Sequence, residues 1–245
     1  MTNRMGETVH FALFHIHQDA KDPTGLLFTV IISFLPVMFL LIFIGTAGAI
    51  AALPGVLVFA LTGAGIAGAP IVYWNRVHHH IQDFLVSSPM RPASFAVGTA
   101  LYATFLSSPS LVMAAVALAI FVPLSVQGVL LAMAALLLLW TGMLFVGFSA
   151  GLAAKSVTRV NQVGNLVGLA LGLLPPVYYP LDRLPPFWRP IALLAPTTDA
   201  AQVARAALGF GPIPLSQEIF AFGYLGAFAG LAALLSLRYA HWVEP

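Results

Sequence analysis

Three groups of residues in this chain have types and spacing that could do chemistry. Gly147-Phe148-Ser149-Ala150-Gly151 matches G-x-S-x-G, the nucleophile elbow of serine hydrolases. That elbow works at a strand-to-helix turn with a base in reach. Here it sits in a long apolar run that reads as a helix, and the histidines (His10, His15, His17, His78, His79, His80 and His241) all fall in segments between or outside such runs. The pattern therefore predicts no hydrolase, and the chain reads as non-enzymatic. His78-His79-His80 invites a metal site, but successive helical residues point about 100° apart and do not converge on one ion without ligands from elsewhere. A solvated polar face is the other reading of the triplet. Tyr178, Tyr179 and Trp188 lie among Pro175, Pro176, Pro180, Pro185, Pro186 and Pro190. Such aromatic rings settle at a membrane interface, and the prolines exclude a continuous helix.

The elements that must hold these groups follow from composition. Of 245 residues, 60% are apolar and 7% are charged, against roughly 25% charged in soluble domains. Mean hydropathy is +0.96. This is the profile of an all-α integral membrane protein. Period-two alternation, the mark of a membrane barrel, is missing. There is no Cys, which removes disulfides, thiol nucleophiles and thiolate metal sites. A net charge of +2 gives no footprint for nucleic acid.

Charge-free stretches run over 23–75, 92–154, 160–181 and 219–237. At about 20 residues per span, they predict six transmembrane helices near 26–46, 50–73, 95–120, 127–153, 162–180 and 217–237. Turns are expected at Gly45-Thr46-Ala47-Gly48 and at Pro123-Leu124-Ser125-Val126-Gln127-Gly128. Lys and Arg mark cytoplasmic loops. Arg4, Lys21, Arg76, Arg91, Lys155, Arg159 and Arg238 on one side, against Arg183, Arg189 and Arg205 on the other, place both termini in the cytoplasm. Ala47-Gly48-Ala49 resembles a leader cleavage site, but Glu7, Asp19 and Asp22 precede it and the apolar core is too long for a leader, so the first run is read as a retained span.

Within a single membrane unit covering 1–245, three segments outside the spans carry the functional expectations. Over 1–22, Met5, Val9, Leu13, Ile16 and Ala20 recur at helical spacing, predicting an amphipathic surface helix that breaks at Pro23. Over 76–94, Val77, Ile81, Phe84 and Leu85 share a helical face that stops at Pro89, suited to lipid headgroups or a groove on a partner protein. Over 181–212, with the aromatic residues just before it, the expectation is an external re-entrant hairpin whose helix is capped by Thr197-Thr198-Asp199. Tyr178, Tyr179, Pro180, Pro185, Pro186 and Trp188 would form an external gate, or else an ordinary outer loop. Gly164, Gly168 and Gly172 make a four-residue stripe on the fifth span that serves either packing within the chain or a dimer seam. No ionisable residue lies at the centre of a predicted span, so no ion-coupling relay is visible. No G-x-x-x-x-G-K-[ST] occurs either. Driving energy for transport would have to come from another polypeptide.

These segments resemble a known family, the membrane-spanning permease subunits of type-2 ABC exporters. Lys21-Asp22-Pro23 before a span containing Pro36 is similar to the family's approach to its first helix. Ile81-Gln82-Asp83-Phe84-Leu85-Val86-Ser87-Ser88-Pro89 resembles its coupling helix, and the stretch Tyr178 to Pro190 its external segment. Ala195-Pro196-Thr197-Thr198-Asp199 with Arg205 resembles its closing motif. Pro176-Val177 stands where the family often has Ser-Gly, and His78-His79-His80 where it has acidic and Gly-Thr residues. The resemblance implies an exporter half in the cell inner or plasma membrane. It would work with a second or sister permease and with two cytosolic ATPases, which bind ATP and Mg; this chain itself would bind no cofactor. Val77, Ile81, Phe84, Leu85 and Pro89 would meet the ATPase. An amphipathic small molecule, drug or lipid-like substrate is expected; polysaccharide or lipid-linked glycan export, or a passive channel or scaffold, are the alternatives.

Overall fold

The structure, a computed structural model, describes Leu13, Ile16 and residues 23–77 and 92–239. The predicted surface helix over 1–22 and the heart of the predicted coupling segment therefore lie outside the described residues. Among those described there is no strand. Eight helices follow in order: α1 (Pro23–Ile44), α2 (Thr46–Val77), α3 (Pro92–Phe121), α4 (Val126–Ala153), α5 (Val157–Leu173), α6 (Arg189–Ala192), α7 (Pro196–Ala207) and α8 (Leu215–Tyr239).

Among the described residues, four helices are long and apolar enough to cross a bilayer: α2, α3, α4 and α8. The apolar part of α1, Val30–Ile44, is shorter. The fifth predicted span, placed at 162–180, begins and ends earlier, at Val157–Leu173. Its start is set by Ser156, whose hydroxyl accepts from the Arg159 N–H. Its end is set by Pro175 and Pro176, which cannot donate the backbone hydrogen bonds a further turn would need; Leu174 caps it with helical angles, donating to the Ala170 carbonyl. The α1–α2 turn is tighter than expected. Gly45 alone separates the helices, at φ +83°, a conformation that costs an L side chain but not glycine.

Helix α2 is the hub. In its spanning stretch 67% of residues are buried, against 22% for α3 and α8 and 33% for α4, and it packs against α1, α3, α4, α5 and α7. Its sequence explains this position. Lipid gives no hydrophobic drive for two helices to meet, so association depends on close packing by small residues. Helix α2 is rich in Ala and Gly. A Cβ on Gly65 would lie 2.4 Å from that of Met143 on α4, and one on Gly151 of α4 would lie 2.5 Å from the Ala69 carbonyl oxygen. Large apolar residues instead line the outside, including Phe39, Ile42 and Phe43 on α1 and Val116 and Ile120 on α3. One polar bond ties α3 to α4: the indole Nε1 of Trp140 donates to Thr104 Oγ1 at 2.9 Å.

Candidate functional site

The stretch after α5 divides the predicted gate residues into two groups. Released from helix at Leu174, the chain turns inward, and Val177 and Tyr178 are buried while Tyr179 is half-buried. The Tyr178 hydroxyl donates to the Ser33 carbonyl on α1 at 3.2 Å, and its ring lies 6.3 Å from that of Phe59 on α2. Gly55 makes room, since a Cβ there would approach the Val177 carbonyl oxygen to 2.6 Å. Pro180, Pro185, Pro186 and Trp188 are exposed. Around them a 3₁₀ turn (Leu181–Arg183) is held by Arg189, which donates from Nε to the Leu184 carbonyl at 3.0 Å and from Nη2 to the Asp182 carbonyl at 2.8 Å.

Helix α7 was legible only as a helix, not as the core element it is. Twelve residues give about 18 Å, too little to cross a bilayer core of about 30 Å. Yet every residue from Pro196 to Arg205 is buried. Thr197 and Thr198 do not cap it, contrary to expectation. The helix starts at Pro196 with no side-chain cap, and the two hydroxyls instead donate to the Leu171 carbonyl at 2.7 Å and the Ala192 carbonyl at 2.6 Å. Gln217 Nε2 on α8 donates to Gln202 Oε1 at 2.8 Å, and the Tyr224 hydroxyl donates to the Leu194 carbonyl at 2.6 Å.

Two ionisable groups are carried inward by this helix. Arg205, 5% exposed, donates through Nη2 to the carbonyls of Pro176 and Val177, satisfying acceptors that the broken helix leaves open. Burial lowers its guanidinium to about 10, so it stays charged at neutral pH. Asp199 is 1% exposed, and its Oδ2 has no hydrogen-bond partner among the described residues. Burial raises its carboxyl to about 6. A raised carboxyl pKa means that the folded state holds the proton more tightly than the unfolded chain. Stability should therefore fall as pH rises through the interval from about 4 to about 6, and stay low above it. Asp199→Asn should flatten this pH dependence and raise the thermal unfolding midpoint at pH 7.5. We expect a gain of about 1 to 2 kcal/mol, after discounting for water screening, to be read as the pH dependence of unfolding in detergent.

A cavity of about 280 Å³ opens between α1, α2, α3 and α5. Its walls include Phe28, Phe59 and Ile66, with Ser33, Ser107, Asn161 and Asn165 as polar points. Gly164 and Gly168 of the predicted stripe line it. Gly172 packs inside the chain, where a Cβ would come within 2.3 Å of the Phe59 ring.

A family model described as ABC-2 type transporter matches residues 16–208. The chain belongs to this family. No curated protein was found to match it. As an ABC-2 type transporter it is a multi-pass membrane protein and a transport subunit, which accounts for the apolar exterior of the bundle. Of the coupling residues expected in this ABC-2 protein, Val77 closes α2 and is exposed; Ile81, Phe84, Leu85 and Pro89 lie outside the described residues, as do His78, His79 and His80. Among the described residues, no group of His, Asp or Glu could hold a metal ion. Ser149 lies inside α4, without the strand-to-helix turn that an elbow nucleophile needs.

Proposed function

We propose that this ABC-2 subunit is one half of an ATP-driven exporter for amphipathic small molecules, drugs or lipid-like compounds. The observation that carries the substrate class is the intramembrane cavity. Apolar walls from Phe28, Phe59 and Ile66 suit a hydrocarbon or aromatic body, while Ser33, Ser107, Asn161 and Asn165 offer a few hydrogen bonds to its polar end. Helices α1 and α5 complete six spans, with both termini cytoplasmic in the inner or plasma membrane. The segment 181–212 with α7 forms a re-entrant hairpin on the outer side. Tyr178 to Trp188 close the outer end, and the open stretch of α5 around Gly164 and Gly168 meets a second permease copy or a sister subunit.

No described span carries an Asp, Glu, Lys or Arg near its middle, so the energy enters from cytosolic ATPases that hold ATP and Mg. Val77, Ile81, Phe84, Leu85 and Pro89 receive their movement on the cytoplasmic side. Leu85→Asp places a charge in this apolar contact and should abolish co-purification with the ATPase and reduce permease-stimulated ATP hydrolysis at least tenfold, a loss expected of a disrupted interface centre at about 1.4 kcal/mol per decade. An intact complex with unchanged stimulated hydrolysis would overturn the coupling assignment.

A further inference from the structure

Helix α5 packs along α2 but barely touches α4, and the wedge left between them is a second cavity of about 380 Å³. Ile66 forms its floor, Val146 and Ala150 one wall, Val163 and Val167 the other. Ala150 and Val163 are exposed on its rim. Its mouth is different in kind. Lys155, in the α4–α5 connection, and Arg159, in the first turn of α5, both line it and both are exposed. The described acidic residues, Asp182, Asp199 and Glu218, all belong to the opposite end of the bundle, in the stretch after α5, α7 and the first turn of α8. Two cations thus stand over an apolar cleft with no described carboxylate to neutralise them.

The geometry points to a binding site for one anionic phospholipid of the leaflet at the α4–α5 connection, its acyl chain in the wedge and its phosphate between Lys155 and Arg159. Basic pockets between helices at the membrane surface recognise acidic headgroups, each cation contributing to the attraction. Long Lys and Arg side chains reach the headgroup level while their stems cover apolar surface. The volume lies within the range of sites for small ligands. The assignment does not depend on the direction of transport or on the ATPase.

Native mass spectrometry of the purified full chain in detergent, titrated with phosphatidylglycerol or phosphatidylcholine, tests the site. One phosphatidylglycerol should bind roughly thirtyfold more tightly than phosphatidylcholine, the preference expected of two cations. Lys155→Gln with Arg159→Gln should erase the preference. Ala150→Phe, or Val163→Trp from the other wall, should fill the wedge and weaken phosphatidylglycerol binding at least tenfold with both cations in place. Unchanged lipid-free unfolding midpoints certify that these variants fold. Because the chain has no Cys, Ala150→Cys supplies a single thiol, and phosphatidylglycerol should protect it from an apolar maleimide. Equal binding of the two lipids, or a preference that survives loss of both cations, overturns the site. So does competition by glycerol phosphate at the same concentration, which would mark a free-phosphate site without a chain groove. Val163→Cys cross-links between copies that phosphatidylglycerol does not displace would give the wedge to a second subunit and overturn it as well.

Discussion

Arg205→Ala should be the most damaging single change in the part of the protein built by α7 and the stretch after α5. The wild-type guanidinium donates to the Pro176 and Val177 carbonyls where α5 has ended and no helical N–H is left to donate to them. Val177 is fully buried, so water cannot simply replace the donor. Hydrogen bonds to charged groups contribute about 1.5 to 3 kcal/mol each, and a buried acceptor left open costs a similar amount. With two carbonyls orphaned, the expected loss is about 3 to 5 kcal/mol. Arg205→Lys should recover only part of it, because a compact, strongly hydrated ammonium costs more to bury than a guanidinium. A lowered unfolding midpoint, together with new protease sensitivity around residues 174–180, is the expected result. Wild-type stability and protease resistance in Arg205→Ala would refute the clamp.

The second large effect is expected at the crossing of α2 and α4. A Cβ on Gly147 would lie 2.1 Å from the Gly65 carbonyl oxygen and 3.2 Å from the Ile66 Cα. Those are backbone atoms, which cannot rotate aside as a side chain can. Gly147→Ala should therefore force the helices apart, costing about 1 to 3 kcal/mol, and Gly147→Leu should cost more. Gly230 provides the control, since a Cβ there meets nothing within 4 Å among the described residues. Gly230→Ala should be neutral or stabilising by about 0.5 to 1 kcal/mol through helix propensity. Size-exclusion profiles and unfolding midpoints of the three variants in one detergent check this. Equal losses at both positions would overturn the close α2–α4 contact.

That pair shows where sequence reading stops. Gly147/Gly151 and Gly226/Gly230 have the same spacing, yet the first pair meets α2 backbone at Gly65 and Ala69 while the second meets nothing within 4 Å. Spacing tells that a flat surface exists; only the partner's position tells whether it is used. The aromatic residues behave likewise. Tyr178 and Trp188 belong to one proline-rich stretch and share an interfacial preference, but the first is buried against Ser33 and Phe59 and the second is exposed. The direction in which the chain leaves α5 decides this, and hydropathy does not encode it. The coupling segment was legible in sequence as an amphipathic stretch with a proline stop, and it rests on that reading.

The sequence by itself determined that the chain is a helical membrane protein and where its long helices lie. A bilayer demands unbroken apolar runs and puts charges at their ends, and both properties are local. The tertiary structure alone decided that α2 is the hub and that the short helix α7, though it carries Thr197, Asp199, Gln202 and Arg205, is among the most buried parts of the molecule. Burial depends on neighbours brought together from distant parts of the chain. Polar residues can stand inside the bundle there because carbonyls of α5 and of the stretch after it, with a side chain of α8, take part of their bonds, while Asp199 Oδ2, Gln202 Nε2 and Arg205 Nε find no partner among the described residues.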